Sequence, residues 1–209
     1  MPEKLIRRLK KRLKEELPGE EARIEMEPLH IPGHKPLPGA GKAGVLILLF
    51  PRKGELFTLL IKRTEYHGPH SGQISLPGGK SEKADQSQIE TALREASEET
   101  GIEPDKTEIL GTLTPLYIPV SHLHVLPVVA YTSKQPEFTI NPKEVEYLIY
   151  LNINDLIKED LKTTRKLSVN GMTIEAPGYE AGNEFVWGAT AMILAEFSKL
   201  ISEAGGITQ

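Results

Sequence analysis

Leu76-Pro77-Gly78-Gly79, followed fifteen residues past Gly79 by Arg94-Glu95-Ala96-Ser97-Glu98-Glu99-Thr100-Gly101-Ile102, decides how this chain is read. The paired glycines form a turn, and the second stretch has the pattern of a helix over 87–100 that Gly101 stops. At about 100° per residue, Glu95, Glu98 and Glu99 fall within roughly a third of the helix circumference. Like charges at i,i+4 weaken a helix by roughly 0.2–0.5 kcal/mol per pair, so the cluster requires compensation. An acidic run is usually a solvated helix face. Here the arginine directly before the acids, the glycine stop and the glycine pair at the helix entry favour a divalent cation. Mg²⁺ is held by one or two carboxylates together with substrate phosphates.

Working outward, Gly44–Phe50 and Leu56–Ile61 are apolar runs around the turn Pro51-Arg52-Lys53-Gly54, and they read as two buried strands. Gln73–Leu76 is a short strand feeding the glycine turn. Ile89, Ala92, Leu93 and Ala96 form the inner face of the acidic helix. Strands are expected at 109–113, 125–131 and 145–151, with Pro127 indicating an edge or irregular position. Asn170-Gly171 between apolar residues signals a tight hairpin, and 187–203 is a final amphipathic helix with Gly205-Gly206 beyond it. Strands and helices mixed without a regular βαβ rhythm give an α+β class.

Residues 3–17 read as a basic helix with Leu5, Leu9 and Leu13 on one stripe. Packing on its own domain or on a subunit is preferred over lying on a membrane. The expected organisation is a basic helix and Pro/Gly-rich lead-in over 1–42, one domain over 43–203, and a tail over 204–209.

Composition narrows the function classes. The 209 residues carry a net charge of −4, which argues against a general nucleic-acid binder. There is no cysteine, so disulfides and thiolate metal sites are excluded. No apolar run reaches the roughly 18–20 residues of a membrane span, and the N-terminus does not read as a secretory signal. A cytoplasmic location follows as the expectation. A monomer and a homodimer look alike at this level, with preference for the dimer.

The glycine turn and acidic helix together resemble the Nudix hydrolase signature, G-x5-E-x7-R-E-U-x-E-E-x-G-U, with U a bulky aliphatic residue. Arg94 to Ile102 match its second half, with Ala96 a small stand-in for the first aliphatic. The first half is one residue longer, and its acidic position is held by Asp85, displaced by one. The resemblance implies an α/β/α sandwich around a mixed β-sheet, and water attack on a small-molecule nucleoside diphosphate substrate with Mg²⁺ or Mn²⁺ as cofactor. It implies Glu95 and Glu99 as metal ligands, Glu98 as third ligand or water-activating base, and Arg94 as the cation orienting these carboxylates. Gly78 and Gly79 allow close backbone approach. A further carboxylate from outside the helix is expected, with Glu144 or Glu146 as candidates and Glu144 preferred.

Upstream, Leu59-Leu60-Ile61-Lys62-Arg63-Thr64 and His70-Ser71-Gly72-Gln73-Ile74-Ser75 are similar to the extra motif of the coenzyme A diphosphatase branch, as is Thr91-Ala92-Leu93-Arg94-Glu95. This implies Arg63, His70, Gln73, Gly78, Gly79 and Lys80 on the substrate side. The branch commonly has leucine and arginine where His67 and Gly68 stand, and Lys62, Arg63 or Lys80 are the candidates to supply that charge instead. His122, His124 and Trp187 carry no compelling ligand pattern. Two other readings stay open: a Nudix hydrolase of ADP-ribose, NADH or a similar compound, and a non-catalytic nucleotide-sensing module.

Overall fold

The computed structural model describes residues 2–28, 38–65, 68, 70–169 and 171–205. Pro32 and Pro36 of the lead-in, His67, Asn170 and Gly206 lie outside them. The largest sheet has eight strands: β1 (Gly41–Arg52), β2 (Glu55–Arg63), β3 (Ile74–Ser75), β4 (Gly78–Lys80), β5 (Glu108–Thr112), β6 (Leu116–Ile118), β7 (Leu123–Tyr131) and β8 (Val145–Asn152). It is mixed, because β1 runs parallel to β7 over Gly41–Leu49 and antiparallel to β2 and β4. The turn between β1 and β2 places Lys53 and Gly54 at positive φ, as a two-residue hairpin of primed type requires.

The unbroken apolar run of β1 follows from burial on both faces. Leu46, Leu48 and Phe50 pack with Ala92 and Ala96 of α2 (Gln88–Thr100), together with Val128 and Ala130 of β7. Ile47 and Leu49 face the opposite way, toward α1 (Pro2–Arg12), α3 (Ile153–Leu156) and α4 (Gly188–Glu203). Helices therefore cover both faces of a mixed sheet, as expected.

Several boundaries differ from the sequence reading. The first helix stops at Arg12 rather than at 17. Lys10, Lys11 and Arg12 suit the negative end of the helix dipole whereas Glu15 and Glu16 oppose it, and Arg12 Nη1 donates to the Glu16 carbonyl at 2.6 Å. Its buried stripe is Ile6, Leu9 and Leu13, with Leu5 only partly covered. Pro127 lies in an interior strand rather than at an edge, but at an irregular position, the other expectation for it. It sits at Val45 in the parallel pairing and falls between the segments paired with β5 and β6, so its missing N–H removes no ladder bond. The expected hairpin around residue 170 belongs to a larger unit, the antiparallel sheet of β9 (Lys162–Val169), β10 (Met172–Ala181) and β11 (Glu184–Trp187). Trp187 ends β11 half-buried and precedes the last helix instead of opening it.

A buried ion pair that the sequence did not announce fastens the N-terminal segment to the rest. Arg23 Nε lies 2.9 Å from Glu196 Oε2 on α4, and the side chains are 2 % and 0 % exposed. The remaining donors and acceptors are matched. Arg23 also donates to the carbonyls of Thr114 and Pro115, and Glu196 Oε1 accepts from Gly19 N, Thr114 N and the Thr114 hydroxyl. Removing one member strands a buried charge and costs about 3–5 kcal/mol, whereas replacing both by apolar side chains is far less costly. Arg23→Ala is accordingly expected to lower the urea-unfolding free energy by about that amount, and Arg23→Met with Glu196→Leu to recover only part of it, because Gly19 N, Thr114 N and the Thr114 and Pro115 carbonyls then lose their partners. A single replacement that leaves stability unchanged would refute this account.

Candidate active site

Three glycines bring α2 and the turn before it into place. A Cβ at Gly44 of β1 would come closer than 3.0 Å to the Gln88 carbonyl and the Ala92 nitrogen, so the helix crosses the strand at backbone contact. Gly78 sits at φ +148, where a Cβ would meet the Gly44 carbonyl and Val45. A Cβ on Gly79 would occupy the place of the Glu95 carboxylate. Ser87 caps the helix by accepting from Glu90 N at 3.2 Å, and Gly101 at φ 73 ends it.

Glu95 and Glu99 therefore converge on the glycine turn. Glu99 is 1 % exposed; its Oε2 accepts the Gly78 N–H at 2.8 Å and its Oε1 lies 3.3 Å from Arg63 Nη1. Burial pushes its pKa up to about 7, against the lowering effects of the Gly78 N–H and Arg63. Burial also raises Glu95, opposed by Arg94 at 3.0 Å. The charge of Glu144 pushes both carboxyls further up. The loop before β8 carries Glu144 here because Asn141 N donates to the Glu99 carbonyl and Thr64 N to the Glu144 carbonyl. A bulge opposite Lys62 and Arg63 follows directly.

Glu98 departs from this cluster. Its side chain is 56 % exposed and lies 3.3 Å from Arg94. Arg94 is the hub: Nε and Nη2 donate to the two Asp85 oxygens at 2.9 and 3.0 Å, Nη2 also donates to the Lys80 carbonyl, and Glu95 and Glu98 flank it. Asp85 further accepts from Glu82 N and the Thr91 hydroxyl. These bonds, Arg94 first, hold its carboxyl well below the usual range. The displaced acid of the signature thus retains a place in the site as the anchor of Arg94. The sequence left that role open, because Asp85 stands one residue farther from Arg94 than the acid of the signature does.

On the substrate side the expected residues separate. Arg63 is engaged with Glu99. His70, at φ 64, bonds through Nδ1 to Gln73 Oε1 at 3.0 Å, so these two hold the β2–β3 loop together. Lys80 extends from β4 into solvent. Lys62 pairs with Glu184 at 3.6 Å. His122, also at positive φ, accepts or donates at 2.9 Å with the Tyr117 hydroxyl in a ring cluster that includes His124. Among the described residues no three His, Asp or Glu side chains close into a metal centre. The donor set nevertheless fits a hard divalent ion. Glu95 and Glu99 are oxygen donors forced together at low exposure over a turn cleared of side chains, and a cation would offset their repulsion.

Two outcomes follow from this geometry. Gly79→Ala is expected to displace Glu95 and lower turnover by about 100-fold, the scale of an ångström-level misplacement, with a matching loss of divalent-ion affinity by calorimetry. In metal-free protein, the raised Glu99 pKa stabilises the fold below about pH 4.5, and that contribution is lost as pH rises through about 7. Glu99→Gln should then gain stability over the parent between those values, by about 3 kcal/mol at most. Urea unfolding in chelator measures it, and a parent protein that gains on Glu99→Gln as pH rises would contradict the burial argument.

Comparison with known proteins identifies the family and the fold. Residues 41–169 match the family described as NUDIX domain. The chain is 34 % identical over 163 residues to the uncharacterized Nudix hydrolase NudL of Yersinia pestis, covering 77 % of this chain and 80 % of that one. It is also 34 % identical over 167 residues to Nudix hydrolase 22, chloroplastic, of Arabidopsis thaliana, spanning 77 % of this chain but only 55 % of that protein. Among solved structures, the Nudix hydrolase RenU from M. smegmatis superposes with a TM-score of 0.53 at 15 % identity, over 81 % of this chain and 89 % of that one. The likeness to RenU concerns the fold alone. The chain belongs to the Nudix hydrolase family, whose members act on phosphoric anhydrides of nucleoside diphosphate derivatives.

Proposed function

We propose that this Nudix hydrolase splits the diphosphate of coenzyme A or an acyl-coenzyme A, giving 3′,5′-ADP and 4′-phosphopantetheine or its acyl form. The observation that carries the reading is the continuity of one segment. Leu59-Leu60 and Arg63 lie on β2, His70 and Gln73 on the loop that follows, and the same stretch ends in the Gly78-Gly79 turn under Glu95 and Glu99. A motif that resembles that of the coenzyme A diphosphatase branch thus lies in the segment leading to the carboxylates.

In this reading Glu95 and Glu99 would hold Mg²⁺ or Mn²⁺, which when bound would supply charge neutralisation at the diphosphate and acidify the attacking water. Arg94, clamped by Asp85, fixes Glu95 and Glu98 in place; its bidentate fork suits that task. Arg63, 3.3 Å from Glu99, would place its positive charge beside the bound diphosphate. Glu98 or Glu144 accepts the water proton. Both are exposed at the rim of the cluster, where a carboxylate exchanges protons with solvent. His70 and Gln73 shape the loop against the nucleotide, and Lys80 lends positive charge at the turn.

Incubation with coenzyme A and Mn²⁺ is expected to release 3′,5′-ADP, identified by chromatography. Release of AMP from ADP-ribose with coenzyme A untouched would transfer the assignment to another nucleoside diphosphate derivative. Glu99→Gln should reduce turnover by at least 100-fold with any substrate, in line with the loss of a group that stabilises developing charge. Absence of turnover of every nucleoside diphosphate derivative by the parent protein would support a nucleotide-sensing module instead. Loss of the acidic limb of the kcat/KM profile in Glu98→Gln or in Glu144→Gln identifies the base.

A further inference from the structure

Seven of the 25 basic residues and one of the 29 acidic residues fall within residues 3–14, so this segment is net +6 in a chain of net −4. The rest of the chain is therefore net −10, with Glu15, Glu16, Glu20 and Glu21 following the segment directly, so the positive charge is confined to the helix itself. Ile6, Leu9 and Leu13 bury one side of α1 against the α4 side of the core. On the opposite side, Lys4, Arg7, Arg8 and Lys11 fall within an arc of about 100° at helical spacing. Lys14 follows in the turn after the helix. All five are exposed, and none forms an ion pair with another described residue. Only Lys10 and Arg12, at the flanks, are neutralised, by Glu108 and Glu203.

We propose that this stripe docks the protein on an anionic lipid bilayer. Clusters of four to eight Lys and Arg on a helix are attracted to anionic headgroups, with about 1 kcal/mol per residue near the surface. Three features single out a bilayer among polyanions. The stripe runs along one exposed helix face, with a shallow concavity only where Arg8 and Lys11 adjoin Glu203 to Gly205. Residues 2–12, PEKLIRRLKKR, offer no aromatic ring to stack on a base and no amide side chain to read one. The net −10 of the remaining molecule repels a long polyanion that would wrap around it, whereas a planar surface touches this face alone. Because the apolar stripe is committed to the core, attachment is electrostatic and shallow, without insertion. The carboxylates lie with α2 on the other face of the sheet, so docking turns them away from the negative surface.

The test is co-sedimentation of the full chain with phosphatidylcholine vesicles, with and without about a third phosphatidylserine. Binding is expected only to the serine-containing vesicles, with release by salt. The variant K4E/R7E/K11E should partition about 100-fold less, with unchanged hydrolysis and only the slight loss of thermal stability that a carboxylate in the last helical turn brings. Glu15→Lys, which extends the stripe, should tighten binding, and it guards against loss through misfolding. Absence of binding to serine-containing vesicles at low salt overturns the proposal. Equal binding by K4E/R7E/K11E does the same, as does capture of single-stranded RNA without capture of vesicles.

Discussion

The backbone contact between α2 and β1 is the constraint on which the rest of the structure depends. Gly44 admits the Gln88 carbonyl and the Ala92 nitrogen where any side chain would hold the helix off. At that separation the acidic side of α2 reaches the glycine turn, and Gly78 can give its N–H to Glu99. Moving the helix outward by the thickness of a methyl group would leave Ala92 and Ala96 as packing defects and separate Glu99 from its donor. The same approach thus fills the core and assembles the site.

That assembly leaves like charges crowded at low exposure. Glu99 is held near neutrality by burial, Glu95 is raised, and Glu144 adds to both. The protein offsets this from two sides, with Arg63 on Glu99 and the Asp85-clamped Arg94 on Glu95. A folded state that keeps two desolvated carboxyls together gives up stability for function, as functional sites commonly do. The Arg23–Glu196 network is a different use of buried charge. There every donor and acceptor is matched, and the result ties the N-terminal segment, α4 and the loop after β5 into one unit.

Much of the helix and central sheet was legible in the residues. The 87–100 helix, its inner face and its glycine stop follow from periodicity and capping, which are local. The double burial of β1 follows from an apolar run too long for a one-sided strand. The sheet of β9 to β11 was only glimpsed at its hairpin, because Thr163–Lys166 and Glu175–Ala181 lack a clear alternation. The first helix was drawn too long, since its leucine stripe continued past the point where Glu15 and Glu16 oppose the helix dipole.

By itself the sequence determined that three acids share one helix face beside a glycine pair, because helical spacing fixes neighbours three and four residues apart. Tertiary structure alone decided which of them meet. Glu95 and Glu99 close on the turn while Glu98 stays in solvent, since the helix rotation is set by the Gly44 contact. It also decided that Arg63 answers Glu99 across 36 residues and that Arg23 answers Glu196 across 173. Pairings at such separations depend on how the sheet and helices stack, and no local pattern of residues records them.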